Sequence, residues 1–187
     1  FFTTCGLTTF GVGGTDEDEE MPLHGTIANV PAESVSYSAD DKFITVKAVM
    51  RDAALFNRQL LLEREYVCSL SENSFTVTDK VTNISSKETP YMILYHCNMG
   101  YPLLCEKTVI SIPSVKVEPR NERAAEGISE WNRVTSPEPD FVEQCYYHTM
   151  PENPTVSVYS PDIGTELQMS YNSDVLDCFP QWKMPIW

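Results

Sequence analysis

Basic residues are scarce in this sequence: 13 Lys plus Arg stand against 27 Asp plus Glu in 187 residues, a formal charge of −14. That balance argues against nucleic acid and anionic membranes as partners, because both select basic patches. Neutral or cationic ligands fit it better. Long apolar runs are missing as well. No stretch approaches the roughly 20 residues of a membrane span, and no Lys/Arg-led signal peptide opens the chain. Also absent are the Gly-x-x-x-x-Gly-Lys-Ser/Thr phosphate loop, a Gly-x-Gly-x-x-Gly turn into a helix and a Gly-x-Ser-x-Gly elbow, which sets nucleotide and acyl-transfer chemistry aside. Gly11-Val12-Gly13-Gly14 is glycine-rich, but the acidic run behind it would repel phosphate. Cysteine offers no Cys-x-x-Cys pair; Cys68, Cys97 and Cys145 lie in apolar or aromatic runs, where a free thiol packs as a small core residue. Without a secretion signal, a reduced, cytoplasmic protein is expected.

What is present is ordinary globular composition, 42% hydrophobic and 21% charged. A chain of this length buries roughly 70% of its unfolded surface. With no repeat, linker or composition break, residues 1–187 read as one domain. Its dominant period is two. Phe75, Val77 and Val81 alternate with Thr76, Thr78, Lys80 and Thr82, a half-buried strand, and Ser71-Glu72-Asn73-Ser74 is the turn of a hairpin with the strand at Tyr66 to Leu70. Phe43 to Met50, Tyr91 to Asn98, Val109 to Val117, Gln144 to His148, Thr155 to Tyr159 and Glu166 to Tyr171 read as further strands. Regularly spaced strands with Pro and Gly at the joints predict an all-β, antiparallel sandwich or barrel. Only Asn121 to Glu130 invites a helix, a short one. Ala53 to Glu65 suits helix or strand, and strand is preferred. Thr15 to Glu20 is an acidic segment, either a solvated hairpin or a loop at the mouth of a site. Both ends, Phe1 to Gly6 and Gln181 to Trp187, are apolar, and the first reads like the middle of a strand; the expectation is part of a longer domain.

Each of the three histidines has two readings. His24, in Leu23-His24-Gly25, is either a loop histidine presented to a ligand or one that bonds a loop carbonyl; the glycine permits close approach. His96 ends an apolar strand at the rim of a sheet, where its pKa can cross neutrality and suit acid/base work; the alternative is a satisfied core histidine. His148 lies three residues past Cys145, half of a metal site, but no second ligand pair follows at fitting spacing, so no metal is expected. Glu143-Gln144 follows a Pro-rich loop that would hold it in place.

Leu23-His24-Gly25, the strand Thr78-Asp79-Lys80-Val81-Thr82-Asn83 and the segment Tyr95-His96-Cys97-Asn98-Met99-Gly100-Tyr101-Pro102-Leu103 together resemble the galactose mutarotase (aldose 1-epimerase) superfamily, most closely its less characterised aldose-epimerase-like branch. Pro31-Ala32-Glu33, Phe141-Val142-Glu143-Gln144, Tyr146-Tyr147-His148 and Gln181-Trp182-Lys183-Met184 extend the likeness along nearly the whole chain. The resemblance implies a β-sandwich binding a pyranose, and anomer interconversion without cofactor or metal: a base takes the anomeric hydroxyl proton, an acid protonates the ring oxygen, and the ring opens and recloses. It makes His96 the acid and His24 a sugar-binding or polarising group; Glu143 falls at a sugar-hydroxyl ligand, and Arg51 faces the pocket. The family motif around the acid is Asn-His-x-Tyr-Phe-Asn-Leu, from which Tyr95 and Met99 depart. The family's base, a Glu on a strand beyond the segment matching Gln181 to Met184, is not found, so a chain incomplete at both ends is expected. Exposed sandwich edges would then invite pairing between copies. A non-catalytic carbohydrate-binding sandwich and a structural β-domain with core histidines are the alternatives.

Overall fold

In a computed structural model, residues 1–16, 19–55 and 57–185 are described. The chain divides into two compact units, Phe1–Asn98 and Met99–Trp187. The fold is almost entirely antiparallel β-structure of the sandwich class, with no barrel.

The first unit holds β1 (Phe2–Leu7), β2 (Gly14–Asp16), β3 (Glu19–Met21), β4 (Ser34–Ala39), β5 (Phe43–Ala53), β6 (Gln59–Ser69), β7 (Phe75–Asn83) and β8 (Met92–Cys97). Strands β4-β5-β6-β7 form one sheet in that order, β1 pairs with β8, and β2 with β3. Side chains of successive strand residues point to opposite faces. Register therefore puts Met50, Asp52, Leu60, Leu62, Arg64, Asp79 and Val81 on one face of the four-stranded sheet. The other face carries Arg51, Glu63, Glu65 and Lys80, with exposed ion pairs Lys47–Glu65 and Lys80–Glu63. The first face is covered at one end. Leu7 of β1 and Ile27 of a short 3-10 turn bury Leu60 and Leu62, with Val30, Met50, Val81 and Ile93 packed around them. Fully burying side chains of this size is worth about 1.5–3 kcal/mol each.

Beside that core lies a buried ion pair. Arg64 donates from Nε and Nη2 to the two carboxylate oxygens of Asp79 at 2.7 and 2.6 Å. Tyr95 Oη donates to Asp79 at 2.7 Å, and Arg64 Nη2 also donates to Thr4 Oγ1 at 2.7 Å. The rings of Phe2, Tyr66 and Tyr95 surround the guanidinium at 5.6–6.0 Å. Burial, then the Asp79 carboxylate, push the Tyr95 phenol well above its ordinary range. This network pins β1 and β8 to the sheet.

The second unit holds β9 (Val109–Ser111), β10 (Lys116–Pro119), α1 (Glu122–Glu126), β11 (Gln144–Thr149), β12 (Thr155–Ser160), β13 (Thr165–Ser170) and β14 (Phe179–Lys183). Its sheets run β10-β11-β14 and β13-β12-β9. Asn121 caps α1 by accepting the Ala124 N–H at 2.9 Å, a bond that satisfies one of the helix's unpaired first-turn donors. Cys145, Tyr146, Val156 and Val158 are buried.

Most expected strands are present; three segments differ in detail. Val109 to Val117 is two strands in different sheets, because Pro113 has no N–H to give a ladder and Ser114 turns its own onto Ile112 O at 2.7 Å. The region 53–65 splits: β5 ends at Ala53, a turn closes through Ala54 N–H to Arg58 O, and β6 starts at Gln59. The expected helix is the single short turn of α1 followed by a 3-10 turn at Ile128–Glu130. The acidic segment forms the hairpin β2–β3; its tip, Glu17 and Asp18, lies outside the described residues, as do Phe56, Ile186 and Trp187.

Candidate functional site

His24 and His96 meet although 71 residues separate them in sequence. Their rings stand edge to face, 5.2 Å between centroids and 76° between planes. His96 comes from β8, opposite Thr3 of β1. His24 comes from a turn in which it and Gly25 both take left-handed backbone, φ 63° and 74°. That turn is bound to β1: Gly6 N–H donates to His24 O at 3.0 Å, and Thr26 N–H to Gly6 O at 2.9 Å. A side chain at Gly25 would fall on the carbonyl oxygens of Gly6 and Thr9. Only glycine fits there.

Below the turn, the buried Asp52 carboxylate accepts from Leu7 N–H at 3.3 Å and Thr26 Oγ1 at 3.2 Å. Arg58 lies 3.5 Å from Asp52 and also pairs with Glu19. The loop is thus tied to β1 and β5 by backbone and carboxylate alike.

Hydrogen bonding fixes which nitrogen of His24 carries the proton. Gly11 N–H donates to His24 Nδ1 at 3.2 Å, so Nδ1 is an acceptor and the neutral ring bears its hydrogen on Nε2. His96 is half-buried; burial, then the neighbouring His24, hold its imidazole below the ordinary histidine range. The pair therefore joins a histidine whose charged form is disfavoured by burial and by its neighbour with a second one that, when neutral, is locked as an Nε2–H donor. The glycine run that looked like a poor phosphate loop supplies the Gly11 amide that does the locking.

Glu143 lies in the second unit, just ahead of β11. Its carboxylate accepts from Arg120 Nη2 and from Trp182 Nε1, the latter at 2.6 Å. The Arg120 hydrogen bond, then that of the indole, hold its carboxyl below the usual range. It stays an ionised acceptor. Arg51 sits on the outer face of its sheet, opposite Asp52 and the His24 turn, in a two-pronged ion pair with Glu33 at 2.6 and 3.2 Å. The structure does not bring it to the histidine pair.

His148 is buried between Trp131 and Phe179. Gln181 spends its amide N–H on Trp131 O, so its oxygen accepts from His148 Nε2 at 3.2 Å and Ser114 Oγ donates to Nδ1 at 2.7 Å. A serine, a histidine and an orienting amide in series have the order of a nucleophilic triad. The backbone argues otherwise: Ser114 N–H bonds Ile112 O and Val115 N–H bonds Thr149 O, so neither amide beside the hydroxyl is open to stabilise an oxyanion. The chain of bonds is read as a core network. Among the described residues, no group of three or more His, Cys, Asp or Glu side chains is placed to hold a metal.

Sequence reasoning alone missed Arg64, Asp52 and Trp182. Charged residues in strands read as solvated, and only long-range register shows that these contribute to buried or clamped networks.

The family model described as a domain of unknown function, DUF4432, matches residues 1–186. The chain is similar to a crystal structure from Klebsiella pneumoniae subsp. pneumoniae described as a "putative aldose 1-epimerase", at 22% identity and a TM-score of 0.92 over 99% of this chain. It spans 50% of that longer chain. The likeness carries the fold, an epimerase-like β-sandwich. No curated protein matches the sequence.

Proposed function

The chain belongs to the DUF4432 family, and from that premise we propose that it is a carbohydrate-binding, aldose 1-epimerase-like protein that interconverts the anomers of a free aldose. The observation that supports this reading is the His24–His96 pair, 5.2 Å between ring centres, with His24 held as an Nε2–H donor by the Gly11 amide. In the reaction a base takes the proton of the anomeric hydroxyl while His96, in its imidazolium form, delivers one to the ring oxygen. The C1–O5 bond breaks, the aldehyde turns about C1–C2, and closure returns both protons. His24 donates from Nε2 to a sugar oxygen; Glu143, in the second unit, is by its own chemistry an ionised acceptor suited to a sugar hydroxyl. Arg51, on the outer face with Glu33, stays outside this assignment. Residues 1–187 belong to a single galactose mutarotase-like domain of the aldose-epimerase-like branch, in a reducing cytoplasm where all six thiols remain free. Among the described residues no helix is long and apolar enough to cross a membrane.

A second reading, sugar binding without catalysis, is favoured by the carboxylates. Glu143 is held ionised by Arg120 and Trp182, Asp79 is spent on Arg64 and Tyr95, and Asp52 on Leu7 and Thr26. A carboxylate whose oxygens are already taken up by protein donors is poorly placed to accept a proton from a sugar. Polarimetry on freshly dissolved α-anomers of glucose and galactose separates the two. Saturable acceleration of mutarotation supports the enzyme, and saturable binding without acceleration supports the binding protein.

A further inference from the structure

We propose that edge strand β4, with the apolar end of the sheet face beside it, is an interface for a second copy of this chain. The face that buries Leu60 and Leu62 at one end runs on, past the Arg64–Asp79 pair, to Val35, Tyr37, Ile44, Val46, Phe75 and Val77 at the other. None of these carries a charge. Val35 is 64%, Tyr37 83% and Phe75 51% exposed. A contiguous apolar stretch of this kind marks an interaction surface more often than a solvated one.

The chemistry of β4 selects the occupant. Its sequence, Ser-Val-Ser-Tyr-Ser-Ala, has neither charge nor proline, the usual guards of an edge strand. Asp40 N–H donates to Phe43 O. This sets the ladder alternation so that Ser34, Ser36 and Ser38 pair with β5 and the amides of Val35, Tyr37 and Ala39 point outward. An antiparallel edge of this kind is complementary to itself about a twofold axis. In a chain of net charge −14, this uncharged strip is where two copies meet without like-charge repulsion. A basic partner finds no carboxylate on it.

Sedimentation velocity of the 187-residue chain at neutral pH and tens of micromolar tests this. The wild type is expected at twice 21.2 kDa. Val35→Lys with Tyr37→Lys weakens association about a hundredfold by setting like charges against each other, with the far-UV circular dichroism unchanged. Thr78→Lys, on the opposite face, leaves the dimer intact. Hydrogen exchange supplies a measurement free of variants: the Val35, Tyr37 and Ala39 amides gain protection as concentration rises through the dissociation constant. A wild type that sediments as a monomer or as species larger than a dimer overturns the proposal. So does a double lysine variant that remains dimeric, or exchange at those amides that ignores concentration.

Discussion

Asp79→Ala deletes a carboxylate that accepts three hydrogen bonds, two from Arg64 and one from Tyr95, at 2.6–2.7 Å. The side chains of the pair are only 10% and 4% exposed, so water cannot replace what is lost. Arg64 would keep its charge, its Thr4 and Tyr66 hydroxyl contacts and its aromatic surround, but no counter-ion. Stranding one member of a buried pair costs about 3–5 kcal/mol, a large fraction of the 5–15 kcal/mol that holds a domain together. Thermal unfolding should fall by about 10 °C or more, and the urea midpoint should fall with the slope unchanged. Replacing both partners, Arg64→Met with Asp79→Leu, removes the charge and its desolvation together and should recover most of the loss. If Asp79→Ala costs under about 1 kcal/mol, or if the double variant shows the summed loss of the two single variants, the network does not hold β1 and β8 as argued.

Gly25→Ala should destabilise the first unit by about 2 kcal/mol or more, since the new methyl falls on two carbonyl oxygens at a left-handed position; chemical denaturation reads it. His96 and His148 both have imidazoles depressed by burial. The unfolded chain then takes protons first as pH falls, so the stability they contribute is complete above about pH 6.5 and drains away below it. Denaturant midpoints should drop across pH 6.5 to 5, roughly 1.4 kcal/mol for each unit of depression, and His148→Gln should flatten the drop; an unchanged pH slope counts against a buried neutral His148. Glu143→Gln should alter stability by under about 1 kcal/mol, its ion pair being exposed. It should weaken sugar binding about tenfold, followed by tryptophan fluorescence.

The strands that bury one face were legible because burial writes a period of two into the sequence. β7 and β12 show it plainly, and their bounds fall within a residue or two of the expectation. β4 was invisible for the opposite reason: all its residues are exposed, and alternate serines give no burial contrast. Pro113 signalled a break that the apolar run around it masked. The histidine pair lies further out of reach. Nothing local ties His24 to His96, since their meeting depends on Gly6 joining the turn to β1 and on β1 pairing with β8. Only the family resemblance grouped the two residues. Composition does not encode the Gly11 amide that fixes the tautomer, because its effect depends on where a backbone N–H points.

Exchange NMR of the α and β anomeric protons of a common aldose, at neutral pH with wild type and His96→Ala, bears most directly on the central claim. Saturable exchange catalysed by the wild type is expected, reduced about 10²–10⁴-fold in the variant while the sugar still binds. Exchange at the uncatalysed rate in the wild type, or equal exchange in wild type and His96→Ala, contradicts it.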